Sequence, residues 1–206
     1  MPKADSVPEE IVEYREEPGL IEILSAISRM PKARAKKFQT FASLARAAPA
    51  GTIVELGTYR GLGAFALWWG SDKYIHRVYT IDDFLKRKGW ANEEYVADNL
   101  KIARSNLRFL RADVTIRQGD ARKMAKKWPD LVSLIVWDLG VMARVVADLY
   151  GWRERVLPGG FLAMHDTFDQ QLGSRTLEKC LADDGGWIGP QVMPGGVWAW
   201  KRKDKV

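Results

Sequence analysis

A short apolar run followed by closely spaced glycines, residues 52–64 (TIVELGTYRGLGA), constrains the fold of this chain more than any other stretch. The pattern predicts a strand, a tight turn and the beginning of a helix. Glu55 lies two residues before Gly57, at the predicted carboxyl end of the strand. Open α/β sheets bind ligands at this end of their strands. Glycines let a ligand approach the backbone, and the first N–H groups of a helix favour a carboxylate or phosphate.

Strands alternate with helices over residues 51–206, which predicts a parallel sheet with right-handed crossovers. Five strands are predicted at 52–56, 77–82, 114–120, 131–138 and 160–165, and a closing antiparallel hairpin at 187–193 and 197–201. Connecting helices are predicted at 61–69, 93–106, 121–128, 141–156 and 172–182. We therefore predict an α/β fold with a mostly parallel seven-stranded sheet.

Residues 1–50 precede this alternation and have a helical pattern. Apolar residues recur at helical spacing in 20–30 and 33–48, and the acidic segment 9–17 is interpreted as a short helix that ends at Pro18. We therefore divide the chain into a helical N-terminal extension, 1–50, and a ligand-binding domain, 51–206. The extension could act as a lid over the ligand cleft, or it could only pack on the sheet.

Composition and charge exclude several classes of protein. The single cysteine, Cys180, excludes an internal disulfide and a cysteine-based zinc site, and it fits a reducing cytoplasm. No apolar run is long enough to span a bilayer, and the N-terminus lacks the apolar core of a signal peptide. The formal net charge is +6, but the basic residues are scattered in short runs, which favours solvated surfaces over a nucleic-acid interface.

Each of the first five predicted strands ends in a polar signature. The five signatures are Glu55-x-Gly57, Asp82, Gly119-Asp120-Ala121, Asp138 and His165-Asp166. Because the carboxyl ends of parallel strands line one edge of a sheet, we expect these side chains to converge. Acids at all five ends are hard to obtain by chance, so this edge is the predicted ligand site.

Two motifs resemble those of class I S-adenosylmethionine (SAM)-dependent methyltransferases. The run E-L-G-T-Y-R-G-L-G is similar to the first motif of that class, E-x-G-x-x-x-G. A fourth strand ending in Asp138, then Pro158-Gly159-Gly160 and a fifth strand ending in His165-Asp166-Thr167, resembles the small macrocin O-methyltransferase-like and cephalosporin-hydroxylase-like family. The resemblance covers residues 52–202. It implies a Rossmann-like methyltransferase fold and methyl transfer from SAM to a small-molecule hydroxyl.

The resemblance also implies how the cofactor would be held. Glu55 would attract the ammonium of the methionine portion, which the glycine turn would approach through its backbone. Asp82 would accept both ribose hydroxyls, since a carboxylate has two acceptor oxygens. Asp120 would accept from the adenine amine. The implied cofactor-binding set is Glu55, Gly57, Thr58, Tyr59, Gly61, Asp82, Asp83, Asp120, Ala121 and Asp138. The alternative for Asp82 and Asp120 is an aspartate that only caps a helix or turn.

Three interpretations stay open for the ends of the fourth and fifth strands, where Asp138 and His165 are the candidate catalytic residues. Related O-methyltransferases hold a divalent cation with an acid from the fourth strand and a pair from the fifth. Asp138, His165 and Asp166 fit that pattern, for magnesium or manganese. Alternatively, His165 is a general base, because imidazole titrates near neutrality. In the third interpretation His165 only orients Asp166.

The sequence departs from the family at one place that bears on the chemistry. The family often has Asp-Gly-Asp-His after the fourth strand, whereas this chain has Asp138-Leu139-Gly140-Val141.

Two alternatives to small-molecule O-methylation stay open. The basic balance suggests a nucleic-acid methyltransferase, and the missing motif suggests a partner-binding domain that has lost its acceptor chemistry. Because the Asn/Asp-Pro-Pro-aromatic motif of amine-methylating enzymes is absent, we expect a small-molecule acceptor and no nucleic-acid or membrane partner. A homo-oligomer is compatible with the sequence.

Overall fold

The core of the protein is a single seven-stranded sheet. The computed structural model describes residues 11–28, 35–85, 98–139, 150–165 and 170–204. The strands are β1 (Gly51–Leu56), β2 (His76–Asp82), β3 (Val114–Gln118), β4 (Val132–Trp137), β5 (Val156–Met164), β6 (Trp187–Met193) and β7 (Val197–Arg202). Their order across the sheet is β3-β2-β1-β4-β5-β7-β6. The first five are parallel, and β7 lies antiparallel between β5 and β6. The predicted mostly parallel sheet with a closing hairpin is confirmed.

Helices cover both faces of the sheet. They are α1 (Pro18–Ser28), α2 (Lys36–Ala47), α3 (Leu62–Gly70), α4 (Asn99–Phe109), α5 (Ala121–Lys127), α6 (Tyr150–Arg153) and α7 (Gln170–Asp184). Successive strand residues point to opposite faces, so Ile53 joins an apolar cluster with α1 to α4, and Val54 joins a second cluster with α5 to α7. Within the described ranges, no helix has the length and apolar character needed to cross a bilayer.

Helix α2, from the N-terminal extension, is an integral part of the first of these layers. Phe41, Leu44 and Ala45 are fully buried. The α2 and α3 backbones lie in direct contact, because a Cβ added at Gly70 would come within 2.1 Å of the Ala42 carbonyl oxygen. Two helices of the N-terminal extension, α1 and α2, are therefore present, whereas the division of the chain at residue 50 and the role of the extension as a lid stay predictions.

The first described segment, residues 11–17, is not helical, so the predicted helix at 9–17 is wrong for this part. The Ile11 and Val12 N–H groups donate to Oε1 of Gln191 over 3.0 and 2.9 Å. The Nε2 amide group of Gln191 in turn donates to the Val12 carbonyl over 2.9 Å. In a helix over 9–17 the Val12 carbonyl and the Arg15 N–H would form intrahelical bonds, whereas here they bond to Gln191 and to the Ser43 hydroxyl.

Strand β5 begins at Val156, earlier than the predicted strand at 160–165, and the predicted helix at 141–156 therefore does not include Val156. Val156 pairs with Val132 and Phe161 pairs with Leu134, with an irregular register between them. The Pro-Gly-Gly run lies within this irregularity, where a proline without an N–H is tolerated. Residues 141–149 and 93–97, which belong to two predicted helices, lie outside the described residues.

Candidate active site

The carboxyl ends of β1 to β5 lie along one edge of the sheet, and the strand order divides that edge into two sides. Glu55, Asp82 and Asp120 lie at the ends of β1, β2 and β3, and we call this the β1–β3 side. Asp138 and His165 follow β4 and β5, and we call this the β4–β5 side. These described residues all lie near the carboxyl ends of their strands, along one edge of the sheet, and Asp166 lies outside the described residues.

Gly57 joins the two sides where β1 ends. Its φ of 109° is in the region that favours glycine. A Cβ at this position would lie 2.3 Å from the Asp138 carbonyl oxygen. The Gly57 N–H donates to the Ile81 carbonyl over 2.8 Å, and the Asp138 N–H donates to the Leu56 carbonyl over the same distance. Glycine at this position therefore lets the chain after β1 lie directly against the chain after β4.

Asp82 anchors the glycine turn. Its Oδ2 accepts from the Tyr59 N–H over 3.0 Å, and its Oδ1 accepts from the Phe84 N–H over 2.7 Å. Tyr59 and Phe84 both have positive φ, 46° and 54°. Asp82 is 5% exposed, so its carboxylate stabilises two strained backbone positions from within the site. This is the turn-capping behaviour that the sequence left open, and the ribose contact stays a prediction.

Glu55 stabilises the same turn from the face of the sheet that α2 and α3 cover. Thr80 Oγ1 donates to Glu55 Oε2 over 2.5 Å, and the Thr58 and Thr80 hydroxyls lie 2.6 Å apart. A Cβ at Gly63 would lie 2.0 Å from Glu55 Oε1, so glycine there makes room for the carboxyl group. Burial raises the pKa of Glu55 well above its ordinary value, although the Thr80 hydrogen bond acts in the opposite direction. Glu55 is 1% exposed, so it does not face the edge directly.

Asp120 begins helix α5 as its N-cap. Its Oδ1 accepts from the Arg122 N–H over 2.9 Å, and the Arg122 guanidinium donates to both oxygens over 3.1 and 2.8 Å. These bonds lower the pKa of Asp120 to about 2. Ala121 follows it in α5 and is nearly buried. Beside Asp82, Asp83 Oδ1 accepts from the Leu85 N–H over 3.0 Å. The adenine contact of Asp120 stays a prediction.

On the β4–β5 side, Asp138 and His165 form a hydrogen-bonded pair. His165 Nδ1 lies 2.9 Å from Asp138 Oδ1. The backbone fixes both residues, because the His165 N–H donates to the Trp137 carbonyl over 2.8 Å. The His165 side chain is 11% exposed and the Asp138 side chain is 9% exposed. When Asp138 is ionised, it accepts a hydrogen bond from the Nδ1–H group of His165. In this tautomer the lone pair of the imidazole ring is on Nε2.

A third residue, Lys37 of α2, completes this side, and the sequence analysis missed it. Lys37 Nζ lies 3.0 Å from Asp138 Oδ2 and 3.3 Å from Oδ1. Burial alone would raise the pKa of Asp138, but the Lys37 charge and the His165 hydrogen bond outweigh it and hold that pKa below its ordinary value. One signal was available in the sequence: Lys37 lies four residues before Phe41, on the edge of the predicted apolar face of the helix.

Three further contacts fix the beginning of α2 over the site. Thr40 Oγ1 donates to the Pro194 carbonyl over 2.6 Å. A Cβ at Gly195 would lie 2.3 Å from the Lys37 backbone nitrogen, so the β6–β7 turn lies directly against the helix. The Phe41 ring meets the His165 ring edge-on, with centroids 6.3 Å apart. The hairpin turn and the aromatic contact therefore hold the beginning of α2 in the position from which the Lys37 side chain contacts Asp138.

The predicted divalent-cation site does not fit this arrangement. Lys37 Nζ contacts both oxygens of Asp138, and His165 Nδ1 contacts one of them. A divalent ion on Asp138 would have to share the carboxylate with an ammonium group of like charge. Among the described ranges there is no cluster of three His, Cys, Asp or Glu side chains arranged to hold a metal ion, and the third predicted ligand, Asp166, lies outside those ranges.

This topology, with a glycine turn after β1 and an acid at the end of β2, defines a Rossmann-like α/β protein of the methyltransferase type. A family model described as "Methyltransferase domain" matches residues 54–167, more than half of the 206 residues. The chain therefore belongs to this methyltransferase family, and the methyltransferase resemblance of its motifs is confirmed. No curated protein sequence gives a significant match.

Several solved structures share this fold at low sequence identity. The O-methyltransferase TomG from Streptomyces achromogenes, involved in tomaymycin synthesis and solved with SAM, is 16% identical, with a TM-score of 0.65 over 93% of this chain and 92% of TomG. The SAH-bound methyltransferase PaMTH1 from Podospora anserina is 14% identical, with a TM-score of 0.63 and coverages of 92% and 89%. An O-methyltransferase from Bacillus cereus, in complex with SAH, is 18% identical, with a TM-score of 0.58 and coverages of 91% and 92%.

Proposed function

We propose that this protein is a SAM-dependent O-methyltransferase that acts on a hydroxyl group of a small molecule. The proposal rests on the two sides of the sheet edge. Acids held by hydrogen bonds lie on the β1–β3 side, and a histidine–aspartate pair lies on the adjoining β4–β5 side. Membership of a methyltransferase family supports it. Further support comes from TomG and the Bacillus cereus protein, O-methyltransferases of similar fold that were solved with SAM and SAH.

The residues of the β1–β3 side suit the charge pattern of SAM. Both oxygens of Asp82 accept one backbone N–H each, and a carboxylate offers further lone pairs for the two ribose hydroxyls. Asp120 and Ala121 would lie beside the adenine. The glycine turn would approach the methionine portion through its backbone. Glu55 would act through the Thr80 and Thr58 hydroxyls that it holds, rather than by direct contact.

The β4–β5 side supplies the proton chemistry. Bound SAM would supply an electrophilic methyl group for the acceptor oxygen, with its sulfur as the leaving group. His165 accepts the proton of the acceptor hydroxyl at Nε2. Asp138 holds Nδ1 and stabilises the charged imidazolium that results. Since the remaining contribution is positioning of the two reactants, no step requires a metal ion.

The cofactor assignment is tested by calorimetric titration of the full chain with SAM, SAH and NAD. SAM and SAH should bind more tightly than NAD. Asp82→Ala should weaken SAM binding by about 1.5–3 kcal/mol, the scale of hydrogen bonds to a charged group. Asp113→Ala is the matched control, because this exposed acid lies just before β3, at the opposite edge of the sheet. Tighter binding of NAD, or equal SAM affinities in the two variants, would contradict the assignment.

The reaction is tested by transfer of a labelled methyl group from SAM to a set of phenols, catechols and aliphatic alcohols, with matched amines and a short duplex DNA as controls. We expect label in one or more hydroxyl compounds, and its loss in His165→Ala with SAM affinity retained. Transfer to amines or DNA alone would replace the proposal with another methyltransferase activity. Tight SAM binding without transfer to any hydroxyl would favour a partner-binding domain that lacks acceptor chemistry.

A further inference from the structure

Acidic side chains are concentrated where β1, β2 and β4 end. Asp138 and Asp82 both act to raise the pKa of Glu55, whereas Lys37 acts to lower it. The Asp138 side chain is only 9% exposed, so water can stabilise its charge only in part. A nearby cation stabilises a nearly buried carboxylate that has acidic neighbours. In a metal-dependent site a divalent ion would be that cation.

In this chain the ammonium group of Lys37 lies beside the Asp138 carboxylate. Lys37 Nζ lies within 3.3 Å of both Asp138 oxygens, and its side chain is 20% exposed. The Nζ atom also lies 5.1 Å from the centre of the Phe38 ring. Because the β6–β7 turn fixes the Lys37 backbone, the ammonium is held in place by the fold, unlike that of a surface lysine.

We propose that Lys37 takes the place of a divalent cation at Asp138 and acts as a positioning residue for metal-independent methyl transfer. The proposal rests on the proposed function for its catalytic part. Lys37 pairs with the Asp138 carboxylate, which in turn contacts Nδ1 of His165 and so fixes how the imidazole ring is oriented. The N-terminal extension therefore contributes to the chemistry through α2, in addition to covering the sheet.

The first test needs no acceptor and no turnover. Binding of Mn²⁺ to the purified full chain is measured by electron paramagnetic resonance in the wild type, Lys37→Met and Lys36→Met. Lys36 is the matched control, since it is the exposed neighbour in the same helix. Without the ammonium, the Asp138 carboxylate should accept a divalent cation, and we expect the Mn²⁺ affinity of Lys37→Met to rise at least about tenfold. Lys36→Met and Lys37→Arg should bind Mn²⁺ like the wild type.

Equal Mn²⁺ affinities in the wild type and Lys37→Met would overturn the proposal. So would a wild-type Mn²⁺ site that is lost in Asp138→Asn, because it would show a cation bound despite Lys37. Thermal unfolding of each variant establishes that it is folded. If Lys37→Met does not fold, Lys37→Gln, which retains a polar head group, is used for the same comparison.

The second test separates positioning from binding. With an acceptor identified, the wild type should retain full activity in chelator. Lys37→Met should lower kcat about 10–100-fold, the usual cost of losing a group that orients another ligand or base. The KM for SAM should stay within about twofold, since Lys37 lies on the other side of the edge, and Lys37→Arg should recover most of kcat. Activity lost in chelator and restored by magnesium would overturn the proposal. If no acceptor is methylated, the proposed function fails, while the Mn²⁺ comparison still decides the role of Lys37.

Discussion

The two sides of the sheet edge are built differently. On the β1–β3 side, Glu55 and Asp82 are bound by groups of the same β1–α3–β2 unit: a hydroxyl from Thr80 and backbone N–H groups from Tyr59 and Phe84. On the β4–β5 side, Asp138 is bound by two basic side chains, one of them 101 residues away in the chain. The first side is therefore assembled locally, and the second depends on the packing of the whole domain.

This difference has a chemical consequence. Backbone N–H groups and hydroxyls hold a carboxylate in one orientation without adding charge of their own. The basic partners of Asp138 offset its charge and define how His165 is oriented. We therefore expect mutations on the first side to act on ligand affinity and local stability, and mutations on the second to act on turnover.

The largest effect is expected where the two sides touch. Gly57→Ala would place a Cβ 2.3 Å from the Asp138 carbonyl oxygen, at a φ of 109° that alanine rarely adopts. Since backbone lies on both sides of the contact, little can move aside. We expect a loss of about 3–5 kcal/mol in the free energy of unfolding, measured by urea denaturation.

Gly185→Ala is the matched control for this prediction. Gly185 also has a positive φ, 64°, but a Cβ there would have nothing within 4 Å. Its substitution should cost only the backbone strain, about 1 kcal/mol. Equal losses in the two variants would show that strain alone matters, and that the contact between the two sides is not tight.

The next effect concerns the hydroxyl chain of the β1–β3 side. Thr80→Val preserves the shape of the side chain but removes the group that donates to Glu55 and meets Thr58. Because Thr80 is fully buried, water cannot replace the lost donor. We expect a loss of about 1–3 kcal/mol in unfolding free energy. Thr115→Val, the same change at an exposed site in β3, should have little effect; a similar loss in both would contradict the prediction.

A smaller effect on folding stability is expected from the charge of Glu55, which Glu55→Gln removes while it keeps the shape of the side chain. Its pKa in the folded protein is raised well above the value of 4.5 expected when unfolded, chiefly by burial. Below pH 4.5 the carboxyl is protonated in both states. As the pH rises from there toward the folded pKa, the unfolded state is ionised first, so folding stability falls. Glu55→Gln should remove this fall and be more stable than wild type at pH 8 by on the order of 1 kcal/mol.

Urea unfolding of wild type and Glu55→Gln from pH 4 to pH 8 measures this difference. The two curves should converge at the acidic end and separate as the pH rises. If Glu55→Gln is instead less stable throughout, the ionised carboxylate itself stabilises the β1–β3 side, and burial is not its dominant environment. SAM titration of the same variant shows whether that charge also contributes to cofactor affinity.

The same local construction explains how much of the molecule could be predicted from its sequence. The glycine turn, Glu55 and Asp82 lie within one strand–helix–strand unit, and their spacing alone indicates that they meet. The mostly parallel sheet was predicted from the alternation of strands with helices. The sheet and the family were therefore predictable, and so was the convergence of the strand ends.

Features that depend on distant contacts could not be predicted in the same way. Lys37 lies in a basic run typical of a solvated helix face, and only the contact of α2 with the β6–β7 turn directs it to Asp138. Likewise, the segment at residues 11–17 has acidic, helix-like composition, but bonds to Gln191 keep it non-helical. In both cases a tertiary contact overrides a local preference.

The smallest effect tests the Arg122–Asp120 ion pair on the β1–β3 side. Arg122 and Asp120 are two residues apart, and their side chains are 53% and 23% exposed, so we expect Arg122→Ala to cost less than about 1 kcal/mol. The N-cap itself should persist, because the backbone N–H of residue 122 remains. The pH dependence is the sharper measure. Asp120 has a folded pKa of about 2, below its ordinary value of 3.8, so its stabilisation is fully present above pH 3.8 and is lost as the pH falls through 2.

In Arg122→Ala the pKa of Asp120 should return toward 3.8, because the guanidinium hydrogen bond is the main cause of its depression. Urea unfolding between pH 5 and pH 2 should therefore show wild type and variant differing at the upper end and converging at the lower end. Addition of salt at pH 5 should reduce the difference, since both side chains are open to solvent. A difference that is constant with pH and salt would mean that Arg122 stabilises by packing. Asp120 would then resemble Asp82 in having backbone N–H groups among its effective partners.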